Sequence, residues 1–198
     1  VTQVLHPLSL DADIPVLPYC FNHSWNLLGE SDAKKLLFIL ALQPDPVSRA
    51  ALQEIAGILT NEQFGNEISH LLQLSLIEHD HDKDYFSILP LTRRFVRTQF
   101  VGNRKFIKQA ELKTSQYYVK LLSQKSSFKE WRGYENLLQD RNNILSVAQW
   151  CYKSLQKKQT KSDSLSKQTK NIAETLVRVG TQFGSVLWQR AYWYDRMT

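Results

Sequence analysis

What this 198-residue sequence lacks narrows its class first. No apolar run approaches the ~20 residues that a helix needs to cross a bilayer, so no membrane span is expected. The two cysteines, Cys20 and Cys151, lie far apart in unrelated contexts and make no disulfide framework; such usage fits a reducing compartment, and a cytoplasmic location is expected. The start carries no basic stretch followed by an apolar segment and a small-residue cleavage site, so nothing argues for secretion. The seven glycines are scattered, and no G-x-x-x-x-G-K-[ST] loop exists to cradle a triphosphate. Neither a catalytic dyad nor a nucleophile elbow can be named, so no catalytic residue is expected. Methionine occurs once, at Met197, and the first residue is Val1, which suggests a piece excised from a longer protein.

What is present is the composition of a globular chain, 42% hydrophobic and 22% charged, long enough for one large domain or two small ones; two units are expected. The net charge of +6 is unevenly spread: 7 Lys+Arg meet 12 Asp+Glu up to Phe100, and 18 meet 7 after it. One-sided charge points to partners, and here the basic half is the second half.

Residues 1–20 carry three prolines and little periodicity, and read as an extended linker. Residues 21–103 read as a winged helix-turn-helix. A helix starts at Ser31 with an apolar stripe of Leu36, Leu37, Ile39 and Leu40, and "PDP" at 44 to 46 ends it. A second helix follows from Ser48. A third begins with Thr60 as N-cap and Gln63 three residues on, a capping-box pattern, and repeats Phe64, Ile68, Leu71 and Leu72 at helical spacing. "SLIEHDHDKDYFSIL" reads as a β-hairpin. Pro90 then suits the first position of a fourth helix, with Leu91, Phe95 and Val96 facing inward.

Residues 104–198 read as an α-helical array, with apolar faces of Leu112, Tyr117 or Val119 and Leu121 in one helix, and Leu137, Ile144, Val147, Ala148 and Trp150 in the next. A mobile connection is expected near 157–170, where "KKQTKSDSLSKQTK" has a single apolar residue, Leu165. The fold class is thus mainly α: a winged helix with a small hairpin, then a helical array.

Three local patterns invite chemistry. "HDHD" at 79 to 82 offers metal-ligand types, but alternation puts His79 and His81 on one strand face and Asp80 and Asp82 on the other; a solvated tight turn is the better reading, and no metal is expected. Gly180 and Gly184 form a G-x-x-x-G outside any membrane span, read as helix packing or chance. A winged helix raises DNA, yet "TNEQFGNEISHLLQL" has no Lys or Arg and carries Glu62 and Glu67, while the hairpin adds Glu78, Asp80, Asp82 and Asp84 against Lys83. These carboxylates would repel phosphates, so sequence-specific DNA binding is not expected.

The run "CFNHSWNLLGESDAKKLLFILALQPDPVSRAALQEIAG", the "LLQLSLIEHDHDKDYFSILPLTRRF" stretch and the later "YENLLQDRNNILSVAQWC" together resemble the winged-helix and following helical segments of STAND-class NTPases with an NB-ARC module, a class that includes bacterial signalling ATPases and plant disease-resistance receptors. The resemblance covers roughly residues 20 to 155. "VLWQRAYWYDRM" is similar to the helix leading into a tetratricopeptide-like (TPR-like) array in bacterial members. It implies a regulatory and coupling module whose parent binds ADP or ATP in a preceding domain, with that nucleotide-binding domain and a C-terminal repeat sensor as partners. In the family a histidine at the end of the hairpin reaches the nucleotide phosphates; here Leu89 stands at that position and cannot donate a hydrogen bond. No cofactor-binding residue is therefore expected in this chain. Arg93, Arg94 and Arg97 are expected to face either a neighbouring domain or water, and Arg93 and Arg97, at i and i+4, share a side. The alternative is a free-standing DNA-binding regulator with a helical dimerisation region.

Overall fold

The stretch Leu36 to Ala41 (LLFILA) contains no polar residue, so a helix through it has no wet face to offer. In the computed structural model, which describes residues 16–58, 60–125, 137–159 and 167–183, these six residues lie in α2 (Asp32–Leu42), and each is at most 2% exposed. The surrounding elements are arranged to cover it. α1 (Val16–Leu27), α3 (Arg49–Ala56), α4 (Asn61–Gln73) and α5 (Pro90–Gln99) contribute to one hydrophobic core centred on α2. Aromatic rings close its rim: Phe38 meets Phe100 at 4.2 Å between centroids, Phe100 meets Phe106 at 5.2 Å, and Trp25 sets its edge against Phe95 at 6.0 Å.

The small sheet is antiparallel and three-stranded, in the order β1-β3-β2. Strand β1 (Val47–Ser48) pairs with β3 (Tyr85–Ser87), with Val47 opposite Phe86, and β3 pairs with β2 (Glu78–Asp80), with His79 opposite Phe86. The hairpin is where the sequence puts it. Strand β1 is too short to show alternation, and its Ser48 also caps α3 by accepting from the Ala51 N–H. Gly57 ends α3 in the left-handed conformation, at φ +77°, where its N–H bonds back to the Gln53 and Glu54 carbonyls.

A second core follows. α6 (Arg104–Lys125), α7 (Arg141–Gln159), α8 (Lys167–Arg178) and a π-helical turn, Val179–Phe183, enclose Tyr118, Leu122, Leu137, Ile144, Cys151 and Phe183. α6 serves both cores, giving Ala110 to the first and Tyr118 and Leu122 to the second. The chain is mainly helical. Among the described residues no helix is long and apolar enough to cross a membrane.

Several expectations are corrected. The linker assigned to residues 1–20 is already helical from Val16, because Pro18 falls in the first turn, where an N–H has no intrahelical acceptor anyway; residues 1–15 lie outside the described residues. The connection expected near 157–170 is helical at 157–159 and at 167–170, at the ends of α7 and α8. Lys and Gln are good helix formers, and no Gly or Pro stops either helix there; residues 160–166 lie outside the described ones.

The inner face of α6 is out of phase with the sequence reading. Thr114, Ser115, Tyr118 and Leu122 are buried, whereas Leu112, Tyr117, Val119 and Leu121 are only half-buried. Two hydroxyl side chains on the buried stripe broke the hydrophobic period. Ser115 satisfies its own by donating to the Leu112 carbonyl at 2.7 Å. The helix expected to carry Leu137, Ile144, Val147, Ala148 and Trp150 on one face is interrupted at Asp140 and restarts at Arg141, with the Asp140 carbonyl accepting from the Ile144 N–H. Gly180 has open space around it, so no close approach uses it; Gly184 lies outside the described residues.

Burial pushes the Cys151 thiol up to about 11, while Cys20 is exposed. A thiol-specific reagent at neutral pH should therefore modify one cysteine promptly and the second only on unfolding. Two equally fast thiols, read by mass spectrometry of the folded chain, would contradict the second core.

Candidate functional site

A helix whose middle is buried on every side still has N–H groups at its start and carbonyls at its end with no partner inside the helix. Other elements supply the partners for α2. At its start the Ala33 N–H donates to Glu67 Oε2 of α4 at 3.0 Å, and Gln63 Nε2 donates to Asp32 Oδ2 at 2.8 Å. At its end Arg97 Nε donates to the Ala41 carbonyl at 2.9 Å, and just past the helix Arg93 Nη1 donates to the Pro44 carbonyl of the following turn at 3.1 Å. A carboxylate thus sits at the positive end of the helix dipole and two guanidinium groups at the negative end.

This changes the reading of several residues. The capping box at Thr60 is half formed: Thr60 Oγ1 accepts from the Gln63 N–H at 3.2 Å, but the Gln63 side chain goes to Asp32 instead of returning to Thr60. Glu67, read from sequence only as a charge hostile to DNA, is a capping partner 34 residues from its donor; nothing local in the sequence signals that. Arg93 and Arg97 hold their own chain's backbone on one side of α5. Arg94 projects into solvent.

The three arginines line a concavity of about 590 Å³ together with Pro44, Ile88 and Pro90. Burial, then the adjacent Arg97 charge, pushes the Arg93 guanidinium below its ordinary range, and Asp45 works the other way; a guanidinium remains charged regardless. Leu89, at the N-cap of α5, is 42% exposed. Leu91 is corrected: it is 56% exposed instead of facing inward. With Pro90 as first residue, the inward positions one turn apart are Thr92 and Val96, and Phe95 lies on the flank against Phe21 and Trp25.

The hairpin tip is less solvated than its sequence implies. His81 and Asp82 are exposed, but His79 stacks on Phe86 at 4.3 Å and places Nε2 2.8 Å from Asp84 Oδ1. Asp84, at φ +56°, also accepts from Arg49 Nε at 2.8 Å, tying the hairpin to α3. Partial burial opposes ionisation of Asp84, but the hydrogen bonds and charges of Arg49 and His79 outweigh it and hold the carboxyl below its usual range. His79 thereby spends its ring nitrogen on a carboxylate that the sequence reading left out of the "HDHD" set. Among the described residues no three His, Cys, Asp or Glu side chains converge as a metal site would require.

The two cores meet at the "PDP" turn. Asn143 of α7, fully buried, accepts from the Asp45 N–H at 3.0 Å and donates Nδ2 to the Pro46 carbonyl at 3.0 Å. Lys120 of α6 adds a surface pair with Glu54 of α3 at 2.7 Å. Burial, reinforced by the Asp140 charge, raises the hydroxyls of Tyr85 and Tyr118 beside this joint, so they stay neutral. No protein-family model matches this chain, and neither does any curated protein or solved structure.

Losing the bond from Arg97 to the Ala41 carbonyl, a part-buried site, costs about 1 kcal/mol. Arg97→Ala should lower the urea midpoint accordingly, whereas Arg94→Ala should stay within about 0.5 kcal/mol of the parent; equal effects would remove the capping role. Asp84 has a folded pKa below its unfolded one, so its contacts add stability above the ordinary carboxylate range, and this is lost as pH falls through the folded value, below about pH 4. Asp84→Asn should accordingly be less stable than the parent at pH 7, with the gap closing on acidification; a constant gap from pH 7 to 2 would rule the linkage out.

Proposed function

We propose that this chain is a non-catalytic regulatory and coupling module of a cytoplasmic STAND-class signalling ATPase with an NB-ARC module. On this reading α2, β1, α3, α4, β2 and β3 are a winged helix-turn-helix, and α6 to α8 begin a TPR-like array that leads to a C-terminal sensor. The order of helices and strands and the small antiparallel sheet support the winged-helix part of this reading. ADP or ATP belongs to the nucleotide-binding domain of the same protein, and Arg93, Arg94 and Arg97 form the face turned toward it. Leu89 makes no phosphate contact there.

The observation that carries this reading is the Asn143 joint. A coupling module must pass displacement from one unit to the next, and two hydrogen bonds to rigid proline-flanked backbone, beside a helix shared by both cores, make the two units move together. The competing role, a DNA-binding regulator, would need α4 as its reading helix. That helix has no Lys or Arg, and Gln63 and Glu67 are occupied at the start of α2.

Calorimetric titration of the chain with ATP and ADP should show no binding, and its gene should carry an upstream P-loop in frame. In that full-length protein Asn143→Ala should alter nucleotide turnover while leaving nucleotide affinity unaltered; unchanged turnover defeats the coupling role. Any DNA binding by the chain should be weak, salt-sensitive and dependent on Lys157, Lys158, Lys161 and Lys167. Affinity that survives their replacement but vanishes on changes at Asn61 or Gln63 would make the DNA regulator the correct reading.

A further inference from the structure

The concave face of α5 holds three guanidinium groups; among the described residues none of them forms an ion pair, and Asp45 acts on Arg93 only through its charge. Lys35 pairs with Asp32, Arg49 and His79 with Asp84, and Lys120 with Glu54, and α5 itself (PLTRRFVRTQ) contains no acid. Arg93 and Arg97 each use one donor on a backbone carbonyl, and a guanidinium carries five. Like charges set side by side on one helix repel, and a bound anion would relieve that repulsion.

The walls between the charges are apolar. Pro44, Ile88, Pro90 and Val101 line the same concavity, and Val101 is 81% exposed. Leu89 and Leu91, on either side of Pro90, are exposed as well. A free phosphate would have no use for such walls. A nucleic acid needs a longer basic track, and the hairpin before α5 exposes Glu78, Asp80 and Asp82. Charge and apolar surface together match a peptide that carries both carboxylates and an apolar side chain.

We propose that this groove docks a short acidic peptide segment of an adjoining domain, its carboxylates on Arg93, Arg94 and Arg97 and one apolar side chain against Val101 and the flanking prolines. The inference deepens the coupling reading and rests on it for the source of the peptide. Binding is measured on this chain alone, however, so a failed groove and a failed coupling role give different results: the first loses peptide binding, the second loses only the effect on nucleotide turnover.

The probe is a fluorescein-labelled hexapeptide of two aspartates, two glutamates and two leucines, followed by anisotropy with the full 198-residue chain. Saturable binding that weakens with added salt is expected. Arg94→Glu is the cleanest variant, since Arg94 holds no backbone carbonyl, and it should weaken binding about tenfold with an unchanged melting curve. Val101→Ser should weaken it as well without altering salt dependence. Absence of saturable binding, an Arg94→Glu variant that binds as the parent does, or displacement of the peptide by inorganic phosphate or a single-stranded oligonucleotide at lower concentration than by unlabelled peptide would each overturn the proposal.

Discussion

The rest of this structure is organised around a helix, α2, whose middle is buried on every side and whose ends are hydrogen-bonded by neighbouring elements. Placing Leu36 to Ala41 in α2 contributes apolar burial, at roughly 25 cal/mol for each Å² removed from water. It also removes solvent from groups that must stay paired. The solution draws on the whole first unit: α4 offers Glu67 and Gln63 to one end, α5 offers Arg97 and Arg93 to the other. The orientation of α5 follows from this, and so does the concave basic face it presents.

Arginine is suited to such a position because its planar fork can satisfy a carbonyl with one nitrogen and keep the others for something else. A lysine would place a point charge near the carbonyl and leave little directed capacity over. In α5 the same side chains therefore secure the fold and shape a surface, and the division of labour lies between Arg93 and Arg97, which hold backbone, and Arg94, which does not.

The sequence disclosed what depends on neighbours in the chain. Helices α2 to α5 and the hairpin were legible from apolar spacing, from Thr60 and Pro90, and from Pro44 and Pro46 as a stop. Strand β1 was not, because two residues cannot alternate visibly and Ser48 already served as a helix cap. The phase of α6 was hidden by Thr114 and Ser115, which are polar by type and buried in fact. The arginines of α5 were visible as candidates, but their targets, the Ala41 and Pro44 carbonyls, lie 56 and 49 residues away, and backbone acceptors leave no trace in composition. Asn143 was silent for the same reason, and so was the pairing of His79 with Asp84.

That the joint between the cores is read from backbone has a consequence for how the sequence can drift. Asn143 touches the N–H of Asp45 and the carbonyl of Pro46, atoms every ordinary residue possesses. The joint therefore does not depend on the side chain at position 45, so the turn can acquire new surface chemistry without loosening the contact between the two units. One replacement is barred at that position, a third consecutive proline, since it would delete the only hydrogen the Asn143 carbonyl oxygen receives from the turn.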